Sequence, residues 1–176
     1  MKQKEFMETV LAYATVALAL VTVGLAIATF WLVSESRRSS FREIGVQTWL
    51  EFQKRFDSSE MIQARKKLAL QFDKFDSTKT NRVSETVLNF FEDVGIAYKN
   101  SYLDKNLADS SFSFYACRWW EAAKPYIDQE RRRHGEDKTI FEDFEFVAKQ
   151  MRNPDEKIDA NELHSFLKDE SGLVSD

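Results

Sequence analysis

The chain has 176 residues and a net charge of −4, with 43% hydrophobic and 31% charged residues, which is typical of one globular domain. The negative charge argues against a broad electrostatic grip on nucleic acid. Five glycines and two prolines are too few for a turn-rich fold of many strands. The single cysteine, Cys117, excludes an intramolecular disulfide, and with only two histidines we expect no metal site and no cofactor.

The first predicted element is a transmembrane helix from Val10 to Val33, a stretch of 24 residues without a charge. As a helix it is about 36 Å long, enough to cross a hydrocarbon core of about 30 Å. A secretory signal has a shorter apolar region and a small-residue cleavage site. We therefore divide the chain into an N-terminal tail (1–9), a transmembrane helix (10–33), a helical domain (34–167) and a polar tail (168–176).

Basic residues flank this segment unequally. Lys2 and Lys4 precede it, and Arg37, Arg38 and Arg42 follow it. The positive-inside rule therefore predicts a single-pass protein of the inner membrane with its C-terminal domain in the cytosol.

Small residues inside the segment form two stripes at helical spacing. The first is a heptad seam, which reaches Glu5 and Glu8 when it is extended backward. It consists of Ala12, Thr15, Ala19, Thr22, Ala26 and Thr29. The second stripe includes Ala14, Ala17, Gly24 and Ala28. Small residues let membrane helices approach closely, so two stripes predict a homo-oligomer larger than a dimer. The heptad seam either packs against a neighbouring helix or faces a pore. In a pore, Glu5 and Glu8 would lie at one mouth. The alternative is that alanine and threonine are simply common in membrane helices.

The rest of the chain predicts helices and no strand, hence an all-α fold in which a cytosolic helical bundle follows the transmembrane helix. The helical pattern continues from Ser34 to Phe56, and Ser58 or Ser59 can cap the next helix. Later helices are predicted at Val83–Asn100, Ala108–Gly135, Ile140–Met151 and from Asp159 to Leu167. Pro125 is expected to bend or divide the long helix in which it lies.

Two groups of charged residues can be interpreted either structurally or functionally. Arg131-Arg132-Arg133-His134 ends a predicted helix, either as a solvated end or as a contact for RNA or anionic lipid. Glu92 and Arg118 lie in aromatic stretches, where a buried charge must be paired. We expect them to form an ion pair between two helices.

Arg152-Asn153-Pro154-Asp155-Glu156-Lys157 resembles the active-site motif of HEPN ribonucleases, which has Arg, a polar residue, three further residues and His. The resemblance implies that Arg152 and Asn153 match the first positions. Lys157 stands in place of the histidine, and lysine, with a pKa of about 10.4, is a poor proton shuttle near neutrality. We therefore expect a degenerate, non-catalytic motif.

The layout of the whole chain resembles the small accessory membrane protein of type VI-B CRISPR systems. That resemblance implies a pore-forming antiviral helper, functionally linked to an RNA-guided, RNA-cutting effector, and it leaves direct RNA binding open. The chain also resembles uncharacterised bacterial proteins with one anchor and a helical domain containing Trp-Trp-Glu. Our first hypothesis is a non-enzymatic oligomeric pore in the membrane; the alternatives are a membrane-tethered HEPN-type ribonuclease and an adaptor that recruits a partner.

Overall fold

The computed structural model describes the backbone of residues 2–76 and 83–173, and their side chains except those of residues 2–5, 8–12, 14, 16, 17 and 37–42. Within this part of the chain the fold is all-α, as predicted, with six helices and no strand. The helices are α1 (Lys2–Phe56), α2 (Ser59–Asp73), α3 (Thr86–Lys99), α4 (Lys105–Arg133), α5 (Glu142–Gln150) and α6 (Ala160–Ser171).

The chain divides into two compact units, Met1–Glu43 and Ile44–Asp176, and α1 contributes to both. The first unit contains a helical segment, Leu18–Ser36, that is long and apolar enough to cross a membrane. Its mean hydropathy is 1.9, and none of it is buried within the chain. The expected apolar N-terminal helix is therefore present.

The second unit, hereafter the domain, has an aromatic core around Phe56, the last residue of α1. The Phe56 ring lies 4.8 Å from the Tyr115 ring, 5.3 Å from Phe90 and 5.7 Å from Phe112. Such offset and edge-to-face pairs contribute about 0.5–1.5 kcal/mol each beyond the burial of their surface. The C-terminal turns of α1 thus belong to the core of the domain.

Helix α3 approaches the start of α5 closely at Gly95. A Cβ atom at this position would overlap the backbone carbonyl of Asp143. Phe91 and Phe144 stack beside this contact, with ring centroids 5.2 Å apart. Glycine is therefore required here by space, because any side chain would push α5 away from α3.

Helix boundaries confirm some predictions and correct others. Ser58 caps α2 by accepting a hydrogen bond from the Met61 N–H, and Asp159 caps α6. Of the two effects predicted for Pro125, a bend or a division, division is wrong, since α4 is continuous through this residue and buries Tyr126 and Ile127 directly after it. The last helix, α6, continues to Ser171, four residues beyond its predicted end at Leu167.

Candidate functional site

The small-residue seam of α1 is exposed wherever its side chains are described. The hydroxyls of Thr22 and Thr29 each donate a hydrogen bond of 2.8 Å to the carbonyl four residues earlier. Each threonine proton is therefore satisfied within its own helix, and lone pairs of the oxygen remain on the surface. Ala19 and Ala26, which complete this part of the seam, are also exposed.

The second stripe has open space around its glycine. A Cβ at Gly24 would meet no atom within 4 Å, and Ala28 is exposed on the next turn. A Cβ added at Gly24 would therefore lie on an exposed face of the helix. The side chains of Glu5, Glu8, Ala12, Ala14 and Ala17 lie outside the described residues.

The predicted Glu92–Arg118 ion pair is wrong, because the two residues have other partners. The Glu92 carboxylate accepts hydrogen bonds from the backbone N–H groups of Phe144, at 2.7 Å, and Asp143, at 3.4 Å. It therefore caps the N-terminus of α5, where a carboxylate interacts favourably with the helix dipole. Burial raises the pKa of Glu92, an effect that these two hydrogen bonds oppose.

Arg118 is buried in the domain and pairs with residues beyond α5. Its guanidinium contacts the Glu162 carboxylate, lies 2.8 Å from that of Glu156 and sits 3.8 Å above the centre of the Phe114 ring. The expectation that a buried charge is paired is correct, but the partners come from the end of the chain. Arg118 thus fastens the segment after α5 to α4.

The motif from Arg152 to Lys157 lies in the connection between α5 and α6. Arg152 forms an ion pair of 2.6 Å with Glu121 of α4, and the Asn153 side chain accepts a hydrogen bond from the Asp155 N–H within a turn. Lys157 is exposed. The contacts of Arg152 and Asn153 thus stabilise the conformation of the connection between α5 and α6.

The basic run at the end of α4 is partly built into the domain. Arg131 is largely buried, with a hydrogen bond to the Ile140 carbonyl and an ion pair of 2.8 Å to Glu145. It borders a shallow groove of about 290 Å³, and charges of both signs line that groove. The lining residues are Asp128, Arg131, Arg132, Glu136, Lys138 and Glu145. Three cations face three anions, so the groove offers no net attraction to a phosphate.

A family model described as a domain of unknown function, DUF4760, matches residues 9–151. The chain belongs to the DUF4760 family. The match includes the whole apolar segment as well as α2–α5, and it ends at Met151, directly after α5. No curated protein and no solved structure matches the chain.

The segment that follows the DUF4760 match closes over α2 and α4. Arg65 of α2 and Glu170 of α6 form a buried ion pair of 3.2 Å, with 7% and 6% of their side chains exposed. The guanidinium of Arg65 also lies 4.3 Å above the Phe56 ring. We did not predict this pair, although Arg65 shares the apolar face of α2 with Met61 and Leu68, and that placement was the available signal.

Cys117 of α4 is buried against α5, with its sulfur 3.5 Å from the Ala148 carbonyl. Burial raises the pKa of its thiol to about 11. A buried thiol with a raised pKa is a poor nucleophile, because the thiolate is the reactive form. Among the described residues, no group of three or more His, Cys, Asp or Glu could hold a metal ion.

Proposed function

We propose that the chain is a non-enzymatic protein of the inner membrane, which inserts its apolar helix in the bilayer and assembles into a homo-oligomer larger than a dimer. The observation that supports this proposal is the segment Leu18–Ser36, which is apolar, has no buried residue and is lined by small residues on two faces. Water is a poor environment for such a surface, whereas lipid and neighbouring copies of the helix cover it well. The cytosolic placement of the domain rests on the positive-inside rule.

The pore is a narrower part of this proposal, and the threonines of the seam support it. In Thr22 and Thr29 the hydroxyl proton is already bonded within the helix, so these groups have no proton left to donate to a neighbouring helix. Their free lone pairs accept hydrogen bonds from water instead, which suits the wall of a water-filled pore.

The antiviral role rests on the resemblance to CRISPR accessory membrane proteins, and the DUF4760 match adds nothing to it. If the resemblance is functional, co-expression with an RNA-guided, RNA-cutting effector increases protection against phage, and deletion of residues 10–33 abolishes the increase. Equal plaque counts with and without the full chain would reject this role and leave the assembly proposal intact.

The ribonuclease alternative is disfavoured by the contacts of its motif. Arg152 is paired with Glu121, and the exposed Lys157 replaces the required histidine. We therefore expect purified protein to leave RNA uncut. Cleavage that disappears in Arg152→Ala would reverse this choice.

The mass of the particle in lipid nanodiscs, measured by native mass spectrometry, tests the assembly proposal and separates it from a monomeric adaptor. We expect three or more copies. Gly24→Leu should weaken the assembly, because a larger side chain obstructs the close approach of neighbouring helices. A Cβ at this position has open space around it, so we expect the fold of the chain to be unaffected. Val23→Leu adds bulk to a face that is already bulky and serves as the matched control. Monomers at high protein concentration, or equal loss of assembly in both variants, would contradict the proposal.

A further inference from the structure

The turn between α3 and α4, Asn100–Asp104, has a fixed backbone conformation; we call it the Tyr102 turn. The Ser101 N–H donates a hydrogen bond of 3.2 Å to the Tyr98 carbonyl. The Tyr102 N–H donates one of 2.9 Å to the Ala97 carbonyl. These two bonds form a Schellman motif, in which Ser101 adopts the left-handed conformation that glycine usually occupies, with a φ of 59°.

This turn displays an aromatic side chain that the domain leaves uncovered. In a Schellman motif, the residue at the position of Tyr102 frequently makes an apolar contact with the preceding helix. Here the Tyr102 side chain is 57% exposed, whereas Leu103, the next residue, is buried in the core. Leu103 therefore anchors the turn while the Tyr102 ring remains available to a partner.

The Tyr102 turn is bonded to the part of α1 at which the domain begins. The Asp104 N–H donates a hydrogen bond of 3.3 Å to the Gly45 carbonyl. Ile44, the first residue of the domain, precedes this contact and is 51% exposed. Gly45 follows Ser36, the end of the apolar segment, by nine residues, which span at most about 32 Å. The length of the chain thus allows the turn to lie at the membrane surface.

The sequence on both sides of this contact is basic, although the chain as a whole is acidic. Residues 37–45 and 100–106 include four basic residues and two acidic ones, namely Arg37, Arg38, Arg42 and Lys105 against Glu43 and Asp104. The Asp104 carboxylate accepts a hydrogen bond from the Leu107 N–H and so caps α4. Basic residues beside a membrane-spanning segment are attracted to anionic lipids.

Lys105 occupies a position at which helix stability does not favour a cation. It is exposed on the first turn of α4, and a positive charge there interacts unfavourably with the helix dipole. Its ammonium lies 4.9 Å from the centre of the Tyr98 ring. An exposed lysine beside an exposed tyrosine fits a lipid surface, because tyrosine is enriched at headgroup level and lysine attracts anionic headgroups.

We propose that the Tyr102 turn docks on the bilayer that holds the apolar segment, with the Tyr102 ring among the headgroups and Lys105 against an anionic lipid phosphate. This inference rests on the proposed insertion in the membrane and does not depend on the number of copies. Docking gives the domain a second attachment to the bilayer besides α1, and thereby determines which end of the domain faces the lipid.

The test places an NBD fluorophore at Asn106→Cys in the full chain with Cys117→Ser. Asn106 is exposed on the first turn of α4, and its replacement leaves Tyr102 and Lys105 in place. The chain is assembled in nanodiscs of phosphatidylcholine and phosphatidylglycerol that contain nitroxide-labelled headgroups. We expect the nitroxide to quench this probe and not a probe at His134→Cys, which lies about 42 Å away along α4.

Two substitutions test whether the turn itself binds the lipid. Lys105→Ala should lower the ratio of docked to undocked chains by about fivefold, the contribution of one basic residue at an anionic surface. Lys138→Ala makes the same change of charge at an exposed position beyond the other end of α4, and should leave the ratio unchanged. Tyr102→Ser should reduce quenching even in nanodiscs of phosphatidylcholine alone, because the ring does not require anionic lipid.

A probe in the apolar segment, at the exposed Ile27→Cys, separates the possible failures. Quenching of this probe by acyl-chain nitroxides, without quenching of Asn106→Cys by headgroup nitroxides, would overturn docking and leave insertion standing. Quenching of Asn106→Cys that is equal with and without Lys105→Ala and Tyr102→Ser would also overturn docking, since the tether alone would explain it. Absence of quenching at both probes would overturn docking and the proposed function together.

Discussion

The two units of the chain place similar apolar residues in opposite environments. In the first unit, the side chains of Phe30 and Trp31 are 77% and 67% exposed, whereas in the domain those of Trp119 and Phe90 are fully buried. The domain therefore satisfies its own hydrophobic surface, while the apolar helix depends on lipid and on other copies to cover its surface. Stability and assembly should thus respond to different substitutions.

Substitutions at two glycines, one in each unit, should differ most in their effect on the stability of the domain. Gly95→Ala places a Cβ against the Asp143 backbone, so we expect it to lower the free energy of unfolding by about 3 kcal/mol, the upper part of the usual range for overpacking. Gly24→Ala meets nothing within the chain and should leave the unfolding of the domain unchanged. Denaturant titrations of the full chain in detergent, followed by tryptophan fluorescence, measure both. Equal effects of the two substitutions would show that the units are not energetically separate.

The rate of thiol labelling compares the accessibility of a cysteine in the domain with that of a cysteine in the first unit. With a pKa of about 11, Cys117 carries little thiolate at pH 8, and the fraction grows only as the pH approaches 11. We expect maleimide to modify it at least about a hundredfold more slowly than an ordinary thiol with a pKa of about 8.5. Ser36→Cys in a Cys117→Ser chain provides an exposed thiol in the first unit for comparison, and similar rates for the two cysteines would mean that the domain opens readily.

Double substitutions test the corrected partners of Glu92 and Arg118. Because these side chains do not share a contact, the effects of Glu92→Ala and Arg118→Ala should add to within about 0.5 kcal/mol. Arg118→Ala and Glu162→Ala should instead show a coupling energy of about 1 kcal/mol, within the range for directly paired residues. Strong coupling in the first cycle would restore the ion pair that the sequence predicted.

Threonine substitutions in the seam have the smallest expected effect on assembly. A hydrogen bond between membrane helices contributes about 0.6 kcal/mol, and the described Thr22 and Thr29 hydroxyl protons already have partners within their own helix. Replacing Thr15, Thr22 and Thr29 with Leu should abolish membrane depolarisation and leave oligomers intact. Intact oligomers that still depolarise vesicles would exclude the seam as a pore lining.

The sequence predicted those features that depend on local patterns. Ser58 and Asp159 cap helices because a short polar side chain precedes each helical run. The partners of Arg118 could not be predicted, because they lie 38 and 44 residues further along the chain and are brought close only by the packing of α6 on α4. The predicted Glu92–Arg118 pair was wrong because two charges on adjacent predicted helices need not face each other, and Glu92 instead caps the start of α5.

The most direct test of the account is the sedimentation of residues 44–176 beside that of the full chain. If the domain is self-sufficient and the apolar helix brings copies together, residues 44–176 will be helical, cooperatively unfolding monomers at micromolar concentration. The full chain in detergent will sediment as an oligomer. A stable oligomer of residues 44–176, or a fragment that fails to fold, would contradict the separation of stability and assembly between the two units.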